Sequence, residues 1–158
     1  MSKAKKILLT VFVVFIAMQF IRPPRNSSNT LQTADMVTHF STPANVEGIL
    51  KTSCYDCHSN NTRYPWYANV QPIGWLLTSH VKGGKEDLNF NEFTTYSKRR
   101  KLSRLKSIQN SIKDGSMPLG SYTLLHNDAK LSAEGKASII EWTAKVIDSL
   151  SRQEKSIK

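Results

Sequence analysis

The two cysteines of the chain lie three positions apart, and a histidine directly follows the second one. They are Cys54 and Cys57 in the stretch SCYDCHSNN, and the histidine is His58. Cysteines at this spacing form a disulfide or a redox dithiol, supply part of a structural zinc site, or attach haem. Only haem attachment requires a histidine at the next position, so the motif favours haem over the other three.

The chemistry of haem attachment explains why these residue types stand at this spacing. Two thiols about one helical turn apart can each add across one vinyl group of the same porphyrin, and the adjacent imidazole then lies under the iron. A zinc site would need a second pair of ligands, and a thioredoxin-type dithiol would need a βαβ context, which the sequence lacks. We predict that Cys54 and Cys57 form thioethers with one haem c and that His58 is the proximal iron ligand.

The sixth coordination position of such an iron needs a further ligand, and Met117 is the main candidate. It is the only methionine beyond residue 36, and it lies in the loop GSMPLG after a predicted helix. Methionine opposite histidine raises the reduction potential, which suits electron transfer. The alternatives are His80, His126, an open sixth position, and a Met117 that only fills the core.

Charge and cysteine count exclude two other classes of protein. The 158-residue chain has a net charge of +10, but five of its cations flank the N-terminal apolar segment. The rest has 17 basic and 12 acidic residues, which is not the profile of a nucleic-acid-binding protein. Two cysteines are too few for a framework of several disulfides.

Fifteen mostly apolar residues, 7–21, lie between basic residues on both sides, a pattern typical of a signal anchor or a secretory signal peptide. No small-x-small cleavage site is evident, because Phe15 stands two positions before Ala17. We therefore expect a retained membrane helix, although a helix of this length needs snorkelling cations to span the ~30 Å core of a bilayer. A cleaved peptide and a buried core helix are the alternatives.

Apolar residues at helical spacing predict an all-α domain with long loops and no strands. Four helices are expected: one from Thr42-Pro43 into the cysteine motif, one from Pro72 to Gly83-Gly84, one from Lys98 to Lys113, and one from Ala133 to Leu150. The predicted organisation is a signal anchor or signal peptide over 1–25, a linker with a surface His39 over 26–41, a haem c-binding domain over 42–150 and a polar tail over 151–158.

Aromatic side chains and one arginine follow the cysteine motif closely. Flat rings could cover a porphyrin, while an arginine and the tyrosine and tryptophan hydrogens could reach its two propionates. The predicted pocket residues are Arg63, Tyr64, Trp66, Tyr67 and Trp75. The alternative is an ordinary aromatic core with one surface arginine.

A run of cations marks the third predicted helix. The stretch KRRKLSRLK, from Lys98 to Lys106, holds six cations in nine residues, with its leucines directed inward. Such a face is either simply solvated or a docking patch for an acidic redox partner or an anionic lipid. Docking of this kind would be fast and sensitive to salt.

Several further stretches resemble the bacterial haem-binding domain family, a short relative of the class I cytochromes c. They lie within residues 40–148 and include PWY, a Trp-x4-His helix, LNF, the Met-Pro loop and LSAEGKASIIEW. The resemblance implies a cytochrome c-like fold in which Cys54, Cys57 and His58 attach haem and Met117 completes the coordination. In LHNDAKLS, Asn127 replaces the proline of the family pattern, which leaves the role of His126 open.

These features together predict a membrane-tethered electron carrier rather than an enzyme. Haem c attachment is expected outside the cytoplasm, so the domain would lie on the periplasmic side of the inner membrane. A haem-based sensor or small-ligand-binding module is the alternative function. A peroxidase-like enzyme is a further alternative, although the sequence offers no convincing distal acid–base pair.

Overall fold

A computed structural model describes residues 1–152, and every regular element in this range is helical. The α-helices are α1 (Lys3–Met18), α2 (Met36–His39), α3 (Ala44–Ser53), α4 (Tyr55–His58), α5 (Ile73–Asp87), α6 (Lys98–Lys113), α7 (Gly120–Leu125) and α8 (Ala133–Arg152). Short 3₁₀ helices cover Trp66–Asn69, Phe90–Thr95 and Asn127–Ala129. The all-α class expected from the sequence is confirmed.

Helix α6 begins and ends where the sequence predicts. The side chain of Ser97 caps its first turn by accepting a hydrogen bond from the Arg100 backbone N–H at 3.3 Å. Its last residue is Lys113, and Gly115 follows with a φ of 74°, a left-handed conformation that glycine adopts without strain. Helix α8 likewise begins behind Ser132, whose hydroxyl accepts from the Gly135 N–H at 3.0 Å.

Helix α5 does not end at Gly83-Gly84, as the sequence predicts, but continues to Asp87. Gly84 serves a different purpose, because a Cβ at this position would lie only 2.7 Å from the carbonyl oxygen of Cys57. The glycine therefore permits the backbones of α5 and α4 to approach closely. The predicted helix end is wrong because a packing glycine and a terminating glycine look alike in a sequence.

The hydrophobic core lies where α6 and α8 pack against α3 and the 3₁₀ helix Phe90–Thr95. Its fully buried side chains include Leu50, Phe90, Phe93, Leu105 and Ile139. Burying a side chain of this size contributes about 1.5–3 kcal/mol each. This core packs against the α3–α4 junction and so positions the cysteine motif, which lies there.

Part of the segment predicted as a linker also belongs to this core. Met36 is fully buried and Val37 is 6% exposed, and both pack with the core cluster. The side chain of Asp35 caps α2 and accepts a hydrogen bond from the hydroxyl of Tyr55, close to the cysteine motif. The limits of the domain stay a prediction, but residues 35–37 are packed rather than extended in solvent.

The N-terminal helix α1 presents apolar side chains to the surface along its whole length. Among residues 1–152, no helix is both long enough and apolar enough to traverse a bilayer. The membrane-spanning helix predicted over 7–21 is therefore not supported. The end of α1 is tied to the domain by Gln19, whose side-chain oxygen accepts from the Gln71 N–H at 2.9 Å. Most of the predicted polar tail, residues 153–158, lies outside the described residues.

Candidate functional site

The cysteine motif forms one tight turn between α3 and α4. The carbonyl of Cys54 accepts hydrogen bonds from the N–H groups of Cys57, at 3.2 Å, and His58, at 3.0 Å. Both cysteines are free. Because the turn is closed by its own backbone, the two sulfurs and the imidazole are held in one short rigid element.

The orientation of the His58 ring follows from two carbonyl groups. Its Nδ1 lies 2.9 Å from the Gly84 oxygen and 3.0 Å from the Leu88 oxygen, at the end of α5. A carbonyl can only accept, so Nδ1 must carry the hydrogen. Nε2 is then left with its lone pair, the form in which a histidine binds a metal.

Two adjoining cavities, each of about 230 Å³, meet at the cysteine motif. Cys54, His58 and Met117 line both, and Cys57 and His80 line the second. The first cavity is mainly apolar, with walls formed by Leu88, Phe90, Ile108, Ile112 and Leu131. The structure thus brings together the predicted attachment residues, the predicted sixth ligand Met117 and the alternative sixth ligand His80.

Met117 reaches the cavities from the loop that follows α6. Its N–H donates to the Ser111 carbonyl at 3.1 Å, and the preceding Ser116 N–H donates to the Asp114 carboxylate at 2.9 Å. These bonds fold the loop back onto the end of α6. The side chain of Met117 is 38% exposed, and His80 lines the same second cavity, so the choice of sixth ligand stays a prediction.

Burial of the two thiols raises their pKa values. The pKa of Cys54 is raised to about 12 by burial and by the neighbouring Cys57, and that of Cys57 to about 11 by burial and by the charge of Asp56. Both groups are therefore protonated thiols at neutral pH. A redox dithiol needs a lowered thiol pKa, so this environment disfavours that alternative.

A buried carboxylate lies inside the motif, between the two cysteines. Asp56 accepts hydrogen bonds from the hydroxyl of Tyr122 at 2.7 Å and from the Arg63 backbone N–H at 3.0 Å. The Arg63 side chain also forms a hydrogen-bonded ion pair with Asp56 at 3.2 Å. The hydrogen bond to Asp56 is the main cause of the raised pKa of Arg63. Burial and the bond to Asp56 raise the pKa of the Tyr122 hydroxyl. Sequence reasoning missed this cluster, since no spacing rule links the three residues.

The predicted aromatic and arginine residues do not line either cavity. Trp66 is 79% exposed, and the indole N–H of Trp75 donates to the Ile21 carbonyl at 2.8 Å. The hydroxyl of Tyr67 lies 3.4 Å from Nε2 of His126. Arg63 is held by Asp56, as described above, and Tyr64 accepts from the Asn26 N–H. Tyr64 and Trp75 therefore hold the N-terminal segment, and Arg63 is linked through Asp56 to Tyr122 of α7.

The donor set at the cavities fits haem. Two thiols on one turn, an imidazole with a bare Nε2 and a mainly apolar space are what a covalently attached porphyrin requires. An all-helical domain with this site defines a haem-binding protein.

Comparison with protein families agrees with this class. Residues 13–145 match the family described as the haem-binding domain, which is most of the 158-residue chain. The chain belongs to the haem-binding domain family, and the resemblance drawn from its sequence is confirmed. No curated protein and no solved structure matches the chain.

Proposed function

We propose that this haem-binding protein is a c-type electron carrier with one covalent haem. Cys54 and Cys57 form the thioethers, His58 is the proximal ligand and Met117 is the sixth ligand. One observation carries the proposal: both cavities are lined by Cys54 and His58 of the cysteine motif and by Met117, which lies about 60 residues further along the chain. When bound, haem supplies an iron that takes up and gives back one electron.

The chain's own residues prepare the site for attachment. With haem bound, each thiol would add across one vinyl group: the S–H bond and the vinyl π bond would break, a C–S and a C–H bond would form, and no external oxidant or reductant would be consumed. The two carbonyls on Nδ1 of His58 keep Nε2 directed away from α5 and make it more basic. The apolar walls would reduce the contact of a bound haem with water, which limits the rearrangement that accompanies a change of charge.

A haem-based sensor is the second candidate function, and a specific observation favours it. Met117 is 38% exposed, and His80 lines the same cavity, so the sixth position has two candidate ligands. Exchange at that position for a small molecule would convert the carrier into a ligand-binding module. We place the carrier first because methionine opposite histidine suits electron transfer and leaves no vacant site.

The location of the domain follows from the same proposal. Attachment of haem c outside the cytoplasm places the domain on the periplasmic side of the inner membrane. The exposed apolar side chains of α1 lie between Lys3, Lys5 and Lys6 on one side and Arg22 and Arg25 on the other, which supports an export signal with affinity for the membrane.

Redox partners with acidic surfaces would dock on α6. Arg99, Lys106 and Lys113 follow one another at seven-residue intervals, so they share one face, and all three are exposed. The α6 residues that line the first cavity, among them Ile108 and Ile112, project from the opposite side of the helix. A partner bound at the cations would therefore be separated from the cofactor by α6, and its association rate would fall as salt is added.

Retention of haem on the denatured protein tests the central claim. The full chain made in a host that exports proteins and attaches haem c should keep its haem colour on a denaturing gel. The double variant Cys54→Ser, Cys57→Ser should lose the colour, because it cannot form thioethers. Colour that leaves the wild type on denaturation would contradict covalent attachment.

A further inference from the structure

The first cavity has one charged wall. Arg104, from α6, is the only lysine or arginine among the described residues that lines either cavity, and it meets Asp87 from the end of α5. Nη1 of Arg104 lies 3.5 Å from Oδ1 of Asp87. The side chain of Arg104 is 30% exposed against 77% for Asp87, so the arginine is the inner member of the pair.

Two hydroxyl groups extend this wall along α6. Ser107 and Ser111 follow Arg104 by three and seven positions, which places the three side chains on one face of the helix. All three line the first cavity, opposite a mainly apolar surface. A flat apolar molecule with a carboxylate at its edge matches such a cavity, because arginine and hydroxyl groups donate to carboxylates.

The guanidinium group of Arg104 has N–H donors that its contact with Asp87 leaves available for such a carboxylate. It carries five N–H hydrogens in a planar fork. Within residues 1–152, the contact with Asp87 is the only polar contact recorded for its side chain, and a separation of 3.5 Å is long for an ion pair of this kind. By contrast, Arg63 is paired with Asp56 and lines neither cavity.

We propose that Arg104 binds a propionate carboxylate of the haem and that Asp87 competes with that propionate for the same guanidinium. The inference rests on the proposed function, because it assumes that haem fills the cavity. The sequence predicted that Arg63 binds the propionates, and the inference assigns this role to Arg104 instead. Ser107 and Ser111 lie on the same wall and donate to the same carboxylate.

A comparison of ferric haem with its dimethyl ester tests the proposal, since the ester has no free carboxylate. The full chain carrying Cys54→Ser and Cys57→Ser, which cannot form thioethers, should bind haem about tenfold more tightly than the ester, as expected for one charge-assisted hydrogen bond. Adding Arg104→Gln should bring the two affinities together. Adding Asp87→Asn should widen the difference, because a competing carboxylate is removed.

Arg99→Gln is the matched control, because Arg99 is an exposed cation of the same helix that lines neither cavity. It should leave the preference for haem over its ester unchanged. Equal weakening of haem and ester by Arg104→Gln would overturn the proposal, since it would reveal a packing role alone. An undiminished preference for haem in Arg104→Gln would overturn it as well.

The covalent protein provides a second measurement if the serine variant binds neither compound. The resonance Raman bending band of the propionates reports hydrogen bonding at the carboxylates. It should shift in Arg104→Gln and stay in place in Arg99→Gln, and an unshifted band in Arg104→Gln would overturn the proposal. Failure of the proposed function gives a different result. The wild type would then carry no haem on a denaturing gel, and neither would the Arg104→Gln variant.

Discussion

At the scale of single residues, the two sides of the site differ in how firmly they are held. His58 is fixed by two carbonyl groups at 2.9 and 3.0 Å, within a turn closed by its own backbone. Met117 comes from a loop and is 38% exposed. The His58 side of the cavities is therefore held more firmly than the Met117 side, and the proposed function depends on whether Met117 binds the iron.

Replacing Met117 by alanine should open the sixth position. The ferric iron would change from low-spin toward a water-bound form, and the midpoint potential would fall, because a soft ligand that favours ferrous iron is lost. Absorption spectra of both redox states and a titration with carbon monoxide provide the measurement. The wild type should resist carbon monoxide, and Met117→Ala should bind it readily.

His80→Ala is the matched control for this experiment, because His80 lines the same second cavity. It should leave the spectrum and the resistance to carbon monoxide unchanged. If His80→Ala opens the site and Met117→Ala does not, the haem has two histidine ligands and the carrier works at a lower potential. Rapid binding of carbon monoxide by the wild type would instead favour the sensor.

The hydroxyl of Tyr122 connects α7 with the cysteine motif, through its 2.7 Å hydrogen bond to buried Asp56. Tyr122→Phe removes this bond to a carboxylate and should lower the free energy of unfolding by about 1.5 kcal/mol, the lower range for bonds to charged groups. Because α7 directly follows Met117, the variant should also bind carbon monoxide faster than the wild type.

Tyr67→Phe is the control, since within the described residues the Tyr67 hydroxyl makes only a long contact of 3.4 Å, with His126. In denaturant unfolding, Tyr67→Phe should lower the free energy of unfolding by less than about 1 kcal/mol. Its carbon monoxide binding should equal that of the wild type. Equal effects of the two variants would argue against a special role of the bond to Asp56.

At the scale of elements, the approach of α5 to α4 determines the proximal side. The carbonyls at the end of α5 can reach His58 only because Gly84 lets the two backbones come together. Helix α6 forms the opposite wall and carries both the cavity-lining Arg104 and the exposed cations. The site is thus a product of how three helices pack.

Gly84→Ala should be destabilising although alanine is the better helix former. Its Cβ would lie 2.7 Å from the Cys57 carbonyl oxygen, a backbone atom that cannot move aside alone. Overpacking of this kind costs about 1–3 kcal/mol. Chemical denaturation measures the loss, and the yield of covalent haem should fall with it, because Cys57 and the His58 hydrogen bonds are displaced.

Gly83→Ala is the neighbouring control, because no atom lies within 4 Å of its added Cβ. It should stabilise the protein by about 0.5–1 kcal/mol, the usual gain for alanine over glycine inside a helix. A Gly84→Ala variant as stable as Gly83→Ala would contradict the close approach of α4 and α5.

At the scale of the whole molecule, the fold depends on what fills its cavities. An empty space of about 230 Å³ costs up to about 5 kcal/mol, an upper value here because the cavity opens to water. That is a large part of the 5–15 kcal/mol by which a domain is ordinarily stable. Cofactor and fold should therefore stabilise each other.

The full chain made without haem attachment should accordingly melt at a lower temperature and with less cooperativity than the haem-loaded protein. Circular dichroism and calorimetry of the two forms provide the measurement. The difference should exceed the ~4–8 °C that a change of 1 kcal/mol produces in a small domain. An apo form that melts cooperatively near the holo temperature would show that the core is complete without the cofactor.

The sequence by itself determined the all-α class, the limits of α6 and the start of α8. It also determined the family and the prediction of haem at Cys54, Cys57 and His58. These features rest on local rules, namely helical periodicity, caps such as Ser97 and Ser132, and a motif whose chemistry acts within five residues.

Only the tertiary structure decided which side chains surround the cavities. It placed Arg104 at the wall and gave Arg63 to Asp56, and it used Gly84 for packing rather than to end α5. It also drew Met36, from the segment predicted as a linker, into the core. The physical reason is that cavity walls form between elements far apart along the chain, where burial and long-range contacts outweigh the local preferences that a sequence displays.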